Sequence, residues 1–239
     1  MNVGLCVVLL AASVTGWAAP APASDRAAEQ LLSQAIVAAG GQSALSAAPV
    51  LAWTGTARIY SDKKIIDISV DTVVEPPVRA RSISWLTEVG RSTERTLAID
   101  ESGGTLIRGG VRTAMPQPMF DHERQQYAIY ELLRLTPLRR ADVTLIFLPN
   151  DRSGRRGVQV RRPNLPSANM WFDKDARLAM VETTVTDPGA GGSIREEVVF
   201  FGQIEDKGVH WPKLIKITCN GKPYFDLTLT SFSTRTRFE

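Results

Sequence analysis

Apolar and polar residues alternate with a period of two along most of this chain, and glycine, proline or asparagine interrupts each run after a few residues. In the first run, Leu51, Trp53 and Ala57 fall on one side. Thr54 and Thr56 fall on the other. This period predicts half-buried β-strands. The short turns between runs favour an antiparallel sheet, because parallel strands need long crossover connections.

A dozen such runs are predicted, in two blocks. The predicted strands begin at 50 and 66 and otherwise span 79–86, 91–99, 105–108, 143–148, 157–162, 169–173, 178–186, 194–205, 213–219 and 222–232. Asn220-Gly221 between the last two strands is typical of a type I′ hairpin turn. Five strands therefore precede residue 120, and a second meander follows residue 136.

Helical periodicity occurs at only two places. After Ser24 or Asp25, which can cap a helix, apolar residues recur at helical spacing until Gly40-Gly41, and a short helix follows at 43–48. A third helix is predicted at 120–136, capped by Asp121 and ended by Pro137.

The first 23 residues have the pattern of a secretory signal peptide. Residues 3–14 are apolar and uncharged, and small residues lead to an Ala-x-Ala site, so cleavage is expected after Ala23. Cys6 lies within the apolar run and is interpreted as an ordinary signal residue. The sequence thus predicts an exported, unlipidated protein with a single domain at 24–239.

A sheet of this size is expected to curl into a half-open barrel, covered on its concave side by the helices. The fold class is therefore mainly β (α+β), and a barrel that its own side chains do not fill can hold a ligand. The alternation predicts which residues line the hollow. They are Trp53, Ile59, Ile68, Val70, Phe200, Leu227 and Leu229 from the strands, and Tyr127, Tyr130 and Leu133 from the third helix.

Motifs for catalysis and cofactor binding are missing from the sequence. There is no zinc-ligand spacing, no nucleophile elbow and no phosphate-binding glycine loop. His122 and His210 are interpreted as surface or turn residues, and Glu196 and Glu197 face opposite sides of a strand. We therefore expect no enzymatic activity, no catalytic residues, no metal, no cofactor and no nucleic-acid partner.

The net charge of +3 conceals an arginine-rich stretch. Eight arginines lie between Arg134 and Arg162, against two acidic residues, Asp142 and Asp151. Such a stretch could meet an acidic protein partner or an anionic membrane surface, or could simply keep a hairpin soluble. The arginines predicted to form a partner surface are Arg152, Arg155, Arg156, Arg161 and Arg162.

Several segments resemble one family of exported proteins. These are Ala-Gly-Gly at 39–41, Trp-Thr-Gly-Thr at 53–56, Ile-Asp-Glu-Ser-Gly-Gly at 99–104, Trp-Phe-Asp at 171–173 and Gly-Val-His-Trp-Pro-Lys at 208–213. In their order they resemble the outer-membrane lipoprotein-sorting (LolA-like) superfamily. The resemblance implies a periplasmic protein that holds acyl chains of lipids or lipoproteins in an apolar cavity, without a cofactor.

Two functions are therefore expected. The first is a periplasmic carrier that binds lipid or lipoprotein acyl chains in its cavity. The alternative is a periplasmic sensor or protein-interaction module that docks an envelope protein through the arginine-rich stretch. Salt should weaken the second kind of binding far more than the first.

Overall fold

The computed structural model describes residues 25–61 and 64–238, so the predicted signal peptide lies outside the described residues. Three α-helices are present in this part of the chain. They are α1 (Arg26–Ala38), α2 (Gln42–Ser46) and α3 (Gln117–Arg134), with short 3₁₀ turns at Arg91–Thr93 and Thr136–Arg139.

The strands form one large antiparallel sheet and one small hairpin. They are β1 (Val50–Tyr60), β2 (Ile65–Glu75), β3 (Arg79–Leu86), β4 (Arg95–Asp100), β5 (Gly103–Arg108), β6 (Val111–Ala114), β7 (Thr144–Leu148), β8 (Arg156–Arg161), β9 (Ala168–Phe172), β10 (Leu178–Thr186), β11 (Ser193–Phe201), β12 (Ile204–Asp206), β13 (Val209–Trp211), β14 (Leu214–Cys219) and β15 (Lys222–Arg235).

Thirteen strands make up the large sheet, in the order β6-β5-β4-β3-β2-β1-β15-β14-β11-β10-β9-β8-β7. The first and last strands pair in the middle, from Val50 opposite Arg235 to Ile59 opposite Phe225. The sheet does not close, because β6 and β7 remain as its two edges. The chain passes from one edge to the other through α3, which packs against β3, β4 and β10. This confirms the predicted half-open barrel with helices across it.

The main core fills the concave side of the sheet. Trp53, Val181 and Leu229 of the strands are buried there with Leu32 of α1 and Leu132 of α3. A much smaller apolar cluster lies on the opposite face and consists of Val50, Ala52 and Val73, covered by Phe238. The two helices are therefore held by burial of their apolar faces against one side of the sheet.

Local interactions fix the start and the end of α1. The Asp25 carboxylate accepts a hydrogen bond from Ala27 N at 2.8 Å, which caps the helix as predicted. Beyond the helix, Gly40 has φ +118°, and a Cβ there would lie 1.8 Å from the carbonyl oxygen of Gly208. Only glycine therefore allows the chain to approach the β12–β13 hairpin this closely.

Several predicted boundaries were wrong. Residues 91–93 form a 3₁₀ turn rather than the start of a strand, and the additional strand β6 brings the number before α3 to six. Helix α3 begins at Gln117 after Pro116, so Asp121 lies inside the helix and accepts from Gln117 Nε2 instead of capping it. The predicted strand 194–205 breaks at Gly202, which has φ +62°.

The predicted hairpin at Asn220-Gly221 is confirmed. Both residues have positive φ, 49° and 77°, as a type I′ turn requires. The turn joins β14 to β15, with Cys219 opposite Lys222. It therefore sets the register of β15, the strand that pairs with β1.

Candidate functional site

A cavity of about 170 Å³ lies between α3 and the concave face of the sheet. Strands β1, β2 and β15 supply its apolar wall, and α3 crosses over it. Seven of the ten residues predicted to line the hollow do so: Trp53, Ile59, Ile68, Val70, Tyr127, Tyr130 and Leu227. We call this space the inner cavity.

A row of aromatic rings limits the inner cavity on one side. The Tyr130 ring lies 4.9 Å from that of Trp53 and 6.1 Å from that of Trp211, measured between centroids. Trp211 in turn stacks on Phe232 at 5.3 Å with an interplanar angle of 6°. Such offset contacts attach α3 to the sheet as well as shaping the space beneath it.

A second cavity, of about 300 Å³, lies beside Trp211. Leu133 and Phe200, two more of the predicted residues, line this space and do not line the inner cavity. Leu229 lines neither space and is 1% exposed within the core. The structure thus separates three residues that the sequence pattern grouped with the other seven.

The inner cavity also contains polar groups that the sequence analysis did not single out. Ser84 and Arg95 line it from β3 and β4, and Arg95 Nε donates to Ser84 Oγ at 3.0 Å. Glu123 lines it from α3. Burial raises the pKa of Glu123 to about 7, although the charge of Arg95 acts in the opposite direction. These groups come from segments far apart in sequence, so no local motif marks them.

Glu196 lies behind this polar side of the cavity and is fully buried. Gln126 Nε2 donates to its Oε2 at 2.5 Å, whereas Oε1 has no partner among the described residues. Burial raises the pKa of Glu196 to about 8, and the neighbouring Glu123 adds to the shift. A mainly protonated carboxyl at neutral pH follows, which can donate as well as accept a hydrogen bond.

His122 is buried, so its interpretation as a surface or turn residue was wrong. Its Nδ1 donates to the carbonyl oxygen of Thr186 at 2.8 Å, and its Nε2 accepts from the Tyr224 hydroxyl at 3.3 Å. Burial lowers the pKa of His122, which favours the neutral ring. The residue therefore connects α3 to β10 and β15.

A third space, of about 490 Å³, lies beside the inner cavity. Ile59, Ile68, Ser84 and Arg95 line both spaces, so the two are adjacent. We call this space the mouth. It lies beside the turns that follow β1, β3 and β5.

The arginine-rich stretch does not form one free cationic face. Arg162 is buried and was wrongly placed on that face, since its Nη1 donates to Glu131 Oε2 at 2.8 Å beneath α3. Arg155 is paired with Asp151 at 2.7 Å, and Arg156 donates to the Gln34 side chain at 2.8 Å. The remaining two, Arg152 and Arg161, are exposed.

Neither a metal-ligand cluster nor a membrane-spanning helix is found in the part of the chain that the structure describes. In residues 25–61 and 64–238, no group of three or more His, Cys, Asp or Glu side chains is placed to hold a metal ion. Among the helices of the same ranges, none is long and apolar enough to cross a membrane.

Comparison with solved structures shows that the chain has the LolA-like fold. It is similar to a LolA superfamily protein from Nitrosomonas europaea, with a TM-score of 0.53 and 12% identity over 87% of this chain and 93% of that one. It is also similar to an outer membrane lipoprotein-sorting protein domain from Vibrio parahaemolyticus, with a TM-score of 0.51 and 10% identity over 80% and 87% of the two chains.

A third similar structure is a DUF1329 family protein from Desulfovibrio piger, with a TM-score of 0.54 and 7% identity over 89% of this chain and 95% of that one. No family model and no curated protein matches the sequence. At such identities the likeness establishes the fold, and the function has to be argued from the cavity itself.

Proposed function

We propose that this protein is an exported, periplasmic carrier that binds acyl chains of lipids or lipoproteins in the inner cavity. One observation supports this above all: a space with an apolar wall lies between the sheet and α3, and the mouth adjoins it. Trp53, Val70 and Leu227 form its wall. The predicted signal peptide supports export, and the LolA-like fold is compatible with a carrier.

Burial of an acyl chain supplies enough free energy for binding. Each methylene removed from water contributes about 0.8 kcal/mol, so a chain of about ten methylenes contributes roughly 8 kcal/mol before association and ordering costs. No catalytic group or cofactor is needed for this activity. We therefore propose a binding protein rather than an enzyme.

Docking of a protein partner through the arginines has less support. Arg162 is buried, and Arg155 and Arg156 already bond to side chains of the same protein. A partner would have to replace those bonds, whereas an acyl chain can enter a space that exists. The carrier is therefore the function we put forward.

The test is native mass spectrometry of the mature protein, purified from the periplasm and then incubated with palmitate. We expect co-purifying lipid or uptake of added palmitate at close to one per chain. The variant Val70→Trp should lose this uptake, because the larger ring fills the inner cavity. Ile59→Trp, at the cavity edge, serves the same purpose should Val70→Trp fail to fold.

The matched control is Val37→Trp, since Val37 is exposed on α1 and lies outside the cavity. It should bind palmitate as the wild type does. A wild-type protein that carries no lipid and takes up no palmitate would contradict the carrier function. So would folded Val70→Trp and Ile59→Trp variants that bind as well as the control.

A further inference from the structure

Three cationic side chains surround the mouth. Lys64 follows the β1–β2 turn, Arg95 begins β4 and Arg108 ends β5, and all three line this space. The acidic residue that lines it with them is Glu94, whose carboxylate is paired with Arg91 at 2.8 Å. Within the described residues, no ion pair neutralises Lys64, Arg95 or Arg108.

Two of these cations lie directly opposite one another. In the pairing of β4 with β5, the Cα partner of Arg95 is Arg108. Like charges at opposed positions of neighbouring strands destabilise a sheet, whereas an anion placed between them would reverse the sign of that interaction. The pair therefore places two exposed guanidinium side chains side by side at the mouth. The carboxyl that interacts electrostatically with Arg95 is Glu123, which lines the inner cavity and not the mouth.

A hydrogen bond to a neighbouring strand also orients the Arg95 side chain. Its Nε donates to Ser84 Oγ at 3.0 Å, and Ser84 is itself 6% exposed. This single bond leaves both Nη nitrogens of Arg95 without a partner in the described structure. Arg95 lines both spaces, so its side chain lies between the inner cavity and the mouth.

We infer that the mouth binds the anionic headgroup, a phosphate or a carboxylate, of an amphiphile whose acyl chain occupies the inner cavity. This inference rests on the proposed function and adds the class of headgroup to it. Guanidinium groups suit both anions, because they donate in a fixed fork that matches two oxygens at once. A cationic headgroup would instead meet three like charges at the same place.

The experiment compares matched twelve-carbon amphiphiles, each below its micelle concentration, by isothermal titration calorimetry. Laurate and dodecyl phosphate should bind about tenfold or more tightly than dodecanol, since one charge-assisted bond to each anion is sufficient for that ratio. Dodecyltrimethylammonium should bind no better than dodecanol. Raising the salt concentration should reduce the advantage of the anions and leave dodecanol unchanged.

The variant Arg108→Gln should remove most of the anion advantage while binding dodecanol as the wild type does. Arg95→Gln should likewise remove most of the ratio between the affinities for the anions and for dodecanol. Arg95→Lys should keep part of it, because the charge remains and the fork is lost. Arg235→Gln is the control: Arg235 is exposed at the end of β15, outside the mouth. It should behave as the wild type does.

Each remaining outcome would overturn the inference in a distinguishable way. Equal affinity for all four amphiphiles would contradict the headgroup site but not the carrier function. Binding of none of them would contradict the carrier as well. Inorganic phosphate binding as tightly as dodecyl phosphate would assign the site to a free anion, and binding only to phosphatidylglycerol vesicles would assign it to a membrane surface.

Discussion

Tyr130 of α3 packs against Trp53 of β1, with ring centroids 4.9 Å apart. This contact joins the helix that crosses the barrel to β1, which lies next to the central strand β15 of the sheet. Trp53 is 4% exposed, so nearly all of its ring is buried between the two elements. The same two rings line the inner cavity, so the packing of α3 on the sheet also determines the shape of the candidate site.

Replacing Trp53 by alanine should therefore destabilise the fold and enlarge the inner cavity together. Loss of a large buried aromatic ring costs about 3–5 kcal/mol of unfolding free energy. Urea denaturation would measure this loss, and Trp53→Phe should show a much smaller one. A loss below about 1 kcal/mol for Trp53→Ala would contradict the close packing of α3 on β1.

Glu131 should be a strong determinant of stability, because its carboxylate is buried with Arg162. The Arg162 side chain is 4% exposed, and its Nη1 lies 2.8 Å from Glu131 Oε2. Glu131→Gln should cost about 3–5 kcal/mol, since it leaves a buried guanidinium without its counter-ion. Replacing both residues by methionine should recover much of that loss.

An exposed ion pair provides the control for Glu131. Arg58 and Asp67 are 3.0 Å apart, but both side chains are about half exposed. Asp67→Asn should therefore cost at most about 1 kcal/mol. Chemical denaturation measures both losses of unfolding free energy. A loss for Glu131→Gln no larger than that for Asp67→Asn would contradict burial of the Glu131–Arg162 ion pair beneath α3.

Gly40 and Gly41 should respond differently to alanine, although both have positive φ. A Cβ at Gly40 would lie 1.8 Å from the carbonyl oxygen of Gly208, whereas a Cβ at Gly41 meets nothing within 4 Å. Gly41→Ala should lower the unfolding free energy only by the backbone strain of its positive φ, about 1–3 kcal/mol. Gly40→Ala should cost clearly more in thermal unfolding, and equal losses would argue against this close approach.

The sheet could be predicted well from the sequence where strands are long and alternate cleanly. Strands β3 and β10 have the predicted bounds, and the Asn220-Gly221 turn sets the last hairpin. Strands β6 and β13 were missed. They have only four and three residues, which is too few to show an alternating pattern. Pairing of β1 with β15 depends on contacts between the two ends of the chain.

The apolar half of the candidate site could be predicted and the polar half could not. Strand parity brings Ile68 and Leu227 to the concave face, because alternation places every second residue on one side. Glu123 and Glu196 come near enough to interact electrostatically only because α3 packs across the sheet. The hydrogen bond between Gln126 and Glu196 spans 70 positions of sequence, so no local pattern predicts it.

Stability should fall as the pH rises through neutrality, because two carboxyl groups, the buried Glu196 and the half-buried Glu123, hold their protons in the folded chain. The pKa of Glu123 is about 7 and that of Glu196 about 8, both raised by burial from the ordinary value of 4.5. Between pH 4.5 and 8 the unfolded chain therefore binds fewer protons than the folded one. Each group can lower the unfolding free energy by up to about 1.4 kcal/mol per pH unit, and the fall should end above pH 8.

The measurement is urea denaturation from pH 6.5 to 9. Burial lowers the pKa of His122 from 6.5, so its opposite contribution, a gain in stability with rising pH, is complete near the start of this range. Glu196→Gln should keep the hydrogen bond from Gln126, remove its share of the slope and be more stable than the wild type at pH 8. Glu123→Gln should remove most of what remains. A double variant that still lost stability between pH 7 and 8 as the wild type does would show that other groups cause the slope.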